Sequence, residues 1–176
     1  MPLASCHFRG APRARLGRET RRRTAAAALT IAFALGATSA CAATGIEGVW
    51  FDDTGKGAVE ITRCGRKLCG HIVWLRNPLD SNGRPQIDDL NPNVRRRNQP
   101  ICGLKVIGQL ELQGDGSWDR GWIYDPKQGK SFDVMLTLKS PTRLVVTGYL
   151  GIKFLSETFV WRRAPADLPR CTANSR

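Results

Sequence analysis

From Gly45 onward the chain falls into short runs in which apolar and polar residues alternate, divided by clusters of Gly, Pro, Asn and Asp. A period of two is the mark of a strand with one buried face, and such clusters punctuate strands. Val59 and Ile61 alternate with Glu60 and Thr62; Phe132, Val134, Leu136 and Leu138 alternate with Asp133, Met135 and Thr137. The pattern predicts eight strands: Gly45 to Asp52, Ala58 to Arg63, Leu68 to Leu75, Leu104 to Leu112, Trp118 to Asp125, Ser131 to Leu138, Leu144 to Leu150, and Phe154 to Arg162. No segment after Gly45 carries a 3.6-residue period over a helix length. Tight turns join most neighbours, so the expected fold is an all-β, antiparallel eight-stranded meander. Closing into a small barrel removes its open edges; a β-sandwich of two four-stranded sheets is the competing architecture.

One connection breaks the rule of short turns. Residues 76 to 101 (RNPLDSNGRPQIDDLNPNVRRRNQPI) are too rich in Pro, Asn, Asp and Gly for a helix or a central strand. A loop this long inside a compact domain is usually functional or disordered. It gathers Asp88, Asp89, Asn91, Arg95, Arg96 and Arg97.

The first 43 residues read differently. Seven arginines precede an uncharged run, TAAAALTIAFALGA from Thr24 to Ala37. That run is shorter than the about 20 residues a bilayer span needs, and suits the core of a cleaved signal peptide. Small residues offer cleavage after Ala40 or Ala42. The expected product is periplasmic or secreted, with no integral membrane segment after cleavage. Cys41 after Thr-Ser-Ala resembles a lipoprotein processing site, so a lipid anchor is the alternative; Arg21 to Arg23 offer only a poor twin-arginine pattern. The organisation is then a signal peptide over 1–43, a single domain over 44–163, and a tail over 164–176.

Cleavage changes the charge and cysteine accounts. Of 27 basic and 15 acidic residues it removes seven Arg and one Glu, and net charge falls from +12 to +6. No basic–aromatic repeat accompanies the remainder, so nucleic acid is not the expected partner; a small anionic or amphiphilic ligand, or an envelope component, is. Four cysteines remain once Cys6 and Cys41 are set aside: Cys64, Cys69, Cys102 and Cys171. An even count in an exported domain predicts two disulfides. With Arg66 and Lys67 as the turn of a hairpin, Cys64 and Cys69 face each other directly at bridging distance. Cys102 then pairs with Cys171. A zinc site competes weakly, because the spacing is not CxxC.

Gly48-Val49-Trp50 on the first strand and Trp161-Arg162-Arg163 on the last resemble the calycin barrels, the lipocalins and their relatives. In those folds an indole plugs the barrel end and a guanidinium lies on it. The resemblance implies structural roles for Gly48, Trp50, Trp161 and Arg163. LCGHIVWL (68–75), Asp88-x-x-Asn91-Pro92, Cys102-Gly-Leu, WIYDPKQGKSF (122–132) and Gly148-Tyr149 add a longer likeness. On these motifs the chain from about Gly45 to Arg163 is similar to domain of unknown function family 2147, uncharacterised exported bacterial proteins. That resemblance implies a β-barrel-like fold and an exported location, and brings no activity. The family usually has Gly at the position of Trp122 and often an apolar residue at that of Cys102.

Few groups could carry chemistry. His71 is the one histidine after the leader, which disfavours a histidine-based metal centre, and the disulfides consume the thiols. Asp88 and Asp125 are the candidate catalytic carboxylates; as an acid–base pair they would need to be close in space with separated pKa values. Both also suit turn-stapling, since Asp and Asn bond nearby backbone. Asp80-Ser-Asn82-Gly83 hints at a calcium loop, but Arg84 takes a ligand position and no Glu ends it. No metal or cofactor is expected. Asp88, Asn91, Arg97, Trp122, Tyr124 and Asp125 are the candidate ligand-binding residues, with the long loop as lid. The favoured reading is a non-catalytic protein of small-ligand binding or envelope maintenance. A hydrolase using Asp88 and Asp125, and a partner-binding module acting through the basic loop, are the alternatives.

Overall fold

A computed structural model describes residues 45–171, so the proposed leader and the last residues lie outside the described part. Eight antiparallel strands follow one another round a closed barrel: β1 (Gly48–Phe51), β2 (Gly57–Cys64), β3 (Lys67–Leu75), β4 (Lys105–Leu112), β5 (Trp118–Asp125), β6 (Lys130–Ser140), β7 (Arg143–Leu150) and β8 (Ile152–Arg163). The sandwich alternative is thereby excluded. Closure comes from two pairs, Trp50↔Arg163 and Phe51↔Arg162.

The alternation read from the sequence is the alternation of the interior. Trp50, Ile61, Leu68, Ile107, Leu110, Val134, Leu136, Leu144 and Val146 are all but sealed from solvent and pack as one cluster. Gly70 belongs among them for a steric reason, since a Cβ there would come within 2.9 Å of Val59 and 3.0 Å of Ile107. An eight-stranded barrel is just wide enough for side chains to fill, and here they fill it.

At one end the closure is built on Trp50. Its Nε1 donates to the Ile46 carbonyl at 2.8 Å, and the Arg163 guanidinium lies 4.1 Å from the ring centroid. Arg163 also donates to the carbonyls of Pro141, Glu47 and Gly45. Burial holds its pKa below the ordinary arginine value. Gly48 has φ +124°, and a Cβ there would sit 2.6 Å from the Arg163 NH1. That conformation also explains why β1 starts at Gly48 rather than at Gly45: the chain before it turns so that Ile46 is buried in the core.

Both disulfides form as paired in the sequence reading, Cys64–Cys69 and Cys102–Cys171. The hairpin register differs from expectation. Cys64 opposes Lys67 and Cys69 opposes Thr62, so the two-residue turn is Gly65-Arg66, not Arg66-Lys67. Gly65 takes φ +71°, which a glycine adopts without strain and which two-residue hairpins demand. The cysteines bridge diagonally across the ladder, with Cα atoms 5.8 Å apart. The tail is held by more than its cysteine: Arg170 forks onto Glu60, and the Cys171 amide donates to Val73 at 2.8 Å.

A polar cluster that no local motif announced spans three strands. Asp119 accepts from Tyr149 Oη at 2.7 Å, from the Arg120 amide at 2.7 Å, and from Lys153 Nζ. Burial pushes the Asp119 carboxyl up, but the bonds from Lys153, Tyr149 and the Arg120 amide outweigh it and hold the pKa below the usual value. Tyr149 is pushed up to about 12 by burial and by its bond to Asp119. A depressed folded-state pKa contributes stability that is present above the unfolded value of about 4 and is lost as pH falls through the folded one. Asp119→Asn should therefore cost stability at pH 7 and progressively less as pH falls from 5 to 3, read as urea midpoints. A gap that stays constant over that range would remove the carboxylate from the account.

Candidate functional site

The long loop is folded, not slack. Bridges Leu79↔Pro85 and Ile87↔Pro100 and a 3-10 turn over Val94–Arg96 give it internal structure. That turn is a helical element the composition did not lead us to expect. Asn93 starts it by accepting the Arg95 amide at 3.1 Å. Asp80 accepts from the amides of Asn82 and Arg84 and from Arg84 Nε, so its oxygens serve an Asx turn.

Asp88 anchors the loop to the barrel. It is fully buried, accepting from Tyr124 Oη at 2.7 Å on one oxygen and from Asn91 Nδ2 (2.6 Å) and Gln99 Nε2 (3.1 Å) on the other. A buried carboxylate is tolerated only when paired or hydrogen-bonded, and three side-chain donors achieve that here. Burial first, and then the bond to Asp88, push Tyr124 up to about 12, so it is a hydroxyl donor at any ordinary pH. Asn91 Oδ1 accepts the Asn93 amide, and its carbonyl accepts Arg97 Nε at 2.8 Å. Arg97 thus braces the loop's own backbone.

A second clamp is steric. Gly129, at φ +61° in the β5–β6 turn, lies against the Leu90 carbonyl; a Cβ there would be 2.0 Å from that oxygen. Asp125 shapes the same turn, accepting the Lys127 amide at 2.9 Å and Gln128 Nε2 at 2.8 Å. Asp88 and Asp125 therefore flank Tyr124 at the same end of the barrel, each occupied by donors of its own chain.

Between the loop and strands β4 and β5 runs an open groove of about 400 Å³. Its walls include Arg96, Gln99, Pro100, Leu104, Lys105 and Trp122, with Cys102 of the second disulfide at its edge. The Trp122 indole lies across Gly108, where a Cβ would come within 2.5 Å of the ring. Gln99 links the groove to the anchor through its bond to Asp88. Of the candidate ligand-binding residues, Trp122 lines this groove; Asp88, Asn91 and Tyr124 form the buried staple beneath the loop; Arg97 and Asp125 hold backbone. Of the three loop arginines, any of which could bind a carboxylate or phosphate, Arg96 and not the expected Arg97 lines the groove. Nothing in a run of three arginines says which side chain faces a groove, and no motif marks Gln99 or Lys105. A second groove of about 320 Å³ lies along Asp80, Arg84, Ile87 and Pro100.

His71 is not part of the groove lining, though it stands across the ladder from Lys105, which is. On its other side it opposes Glu60, whose carboxyl is held below its ordinary pKa first by Arg170. Among the described residues no three His, Cys, Asp or Glu side chains converge on a metal-sized site.

A closed eight-stranded meander, end-sealed by Trp50 under Arg163, defines the lipocalin-like class of barrels. Consistent with that, the chain is similar in fold to a solved protein of Helicobacter pylori, HP1028, described as belonging to the lipocalin family: TM-score 0.59 and 22% identity, over 70% of this chain and 86% of that one. Residues 48–163 match the model of the family described as "Uncharacterized protein conserved in bacteria (DUF2147)", and the chain belongs to that family. No curated protein matches the sequence significantly.

Proposed function

We propose that this chain is an exported, non-catalytic binding protein of the bacterial envelope, and that it takes a small anionic ligand with a flat or apolar part. The binding place is the groove under the long loop, not the barrel interior. One observation carries this reading: the Trp122 face, a polar Gln99 and the cationic Arg96 and Lys105 line one cleft whose roof is pinned by a buried carboxylate network. An indole face binds flat or apolar groups, and guanidinium and ammonium groups bind carboxylate or phosphate. A pinned roof lowers the ordering cost of binding. The lipocalin-like fold, the two disulfides and the leader-like first 43 residues fit an exported carrier. Among the described residues no helix is long and apolar enough to cross a membrane. Hydrolysis by Asp88 and Asp125 fits poorly, because Asp88 is sealed from solvent and both acids are engaged.

The test uses the full chain, expressed with its own leader and purified from the periplasm. Native mass spectrometry looks for a co-purifying small molecule, and 8-anilinonaphthalene-1-sulfonate serves as an anionic aromatic probe. Trp122→Ala, and separately Arg96→Ala with Lys105→Ala, should each weaken probe binding by about tenfold, which corresponds to about 1.4 kcal/mol. Lys139→Ala, on β6, should leave it unchanged. Binding indifferent to both groove variants would overturn the groove as the site.

A further inference from the structure

The barrel closes at one end of its seam only. β8 is twelve residues long, yet β1 pairs with Arg162 and Arg163 alone. Among the described residues, β8 from Ile152 to Trp161 has β7 on one side and no strand on the other. Ile152 to Phe159 are exposed throughout. Large apolar side chains stand there together: Leu150, Ile152, Leu155 and, 92% exposed, Phe154, with Phe159 further along. Phe154 and Leu155 lie between the pairs Leu150↔Ile152 and Tyr149↔Ser156, where the register shifts. This segment is tethered, because Lys153 binds Asp119 and lies 5.6 Å over the Tyr149 ring.

We infer that two copies of this chain associate through their free β8 edges, pairing antiparallel so that the apolar side chains of each cover those of the other. An open edge bearing apolar residues is a template for another strand, and natural monomers blunt it with proline, charge or a covering element. Ser156 to Val160 carry no proline and a single charge, Glu157. A lipid surface is a poor occupant, since it would bury the side chains while leaving the edge amides and carbonyls unpaired. A strand satisfies both. At about 200 Å² for each large apolar side chain, the exposed share of the five comes to roughly 600 Å². That is most of the about 800 Å² which each partner of a standard-sized interface buries. A two-fold arrangement is self-complementary. Centred on Leu155, it would set Leu155 against its own copy, Ile152 against Thr158 and Phe154 against Ser156, clear of the residues that β1 covers, and keep the two Glu157 side chains from facing each other.

Sedimentation equilibrium on the purified periplasmic protein, between about 1 and 100 μM, should show a monomer–dimer equilibrium. Hydrogen exchange at Ser156 to Val160 should slow as concentration rises. Phe154→Glu with Leu155→Glu, and the milder Phe154→Ser, should each raise the dissociation constant at least tenfold with the circular dichroism spectrum unchanged. A monomer whose edge amides exchange independently of concentration would overturn the inference, whether or not it binds phosphatidylglycerol vesicles. So would a dimer that both variants leave equally tight. Groove binding of the fluorescent probe is read separately, so either proposal can fail alone.

Discussion

Asp88→Ala should destabilise the protein by about 2–4 kcal/mol, because three neutral donors lose their acceptor at about 1–3 kcal/mol each while the cost of burying a charge is relieved. Truncation removes the acceptor of Tyr124 Oη and Asn91 Nδ2 in a place closed to water, and of the part-buried Gln99 Nε2 at its edge. The loss should appear as a lower urea midpoint, with the new proteolytic cuts confined to residues 76–101. Tyr124→Phe takes away a single donor and should cost only about 1–2 kcal/mol. If Asp88→Ala loses less than Tyr124→Phe, the carboxylate is not what holds the loop down.

At the opposite end, Trp50→Ala should cost about 3–5 kcal/mol, as for other large aromatic truncations in cores. The side chain is fully buried and carries both the bond to Ile46 and the guanidinium of Arg163. Arg163→Lys separates packing from geometry. A lysine keeps the charge but has no planar fork to reach three carbonyls together, so it should lose a substantial part of the Arg163→Ala effect. Thermal unfolding of the two single variants and the double variant gives their coupling. Additive losses would mean that Trp50 and Arg163 do not act as one closure.

Much of this fold is written in periodicity, because a strand with one face in a filled barrel must alternate. All eight strands follow from that, and their ends differ from the expected ones where a backbone detail intervenes. Gly48 at positive φ shortens β1, and Gly65 shifts the Cys64–Cys69 hairpin by one residue. The site is legible in a different way. Asp88-x-x-Asn91 reads as a local staple from spacing alone, but its third partner, Tyr124, comes from a strand 36 residues on. Asp119, Tyr149 and Lys153 are separated by 30 and 34 residues from Asp119 and share no motif, so only the register brings them together. Among Arg95, Arg96 and Arg97 the division of labour depends on a 3-10 turn that three identical residues cannot reveal.

The pairing of Trp50 with Arg163 also sets an order of events. These partners lie at the two ends of the domain, and the Arg163–Glu47 bond spans 116 residues. A chain that emerges amino end first must hold its plug open until the last strand arrives. Every residue up to Trp161 can be out and the barrel still lacks its seam. Closure thus depends on the last strand: a product cut short at the carboxyl end by one strand lacks the guanidinium over Trp50 and both pairs of the seam. Such a fragment should be cut by proteases faster than the intact protein.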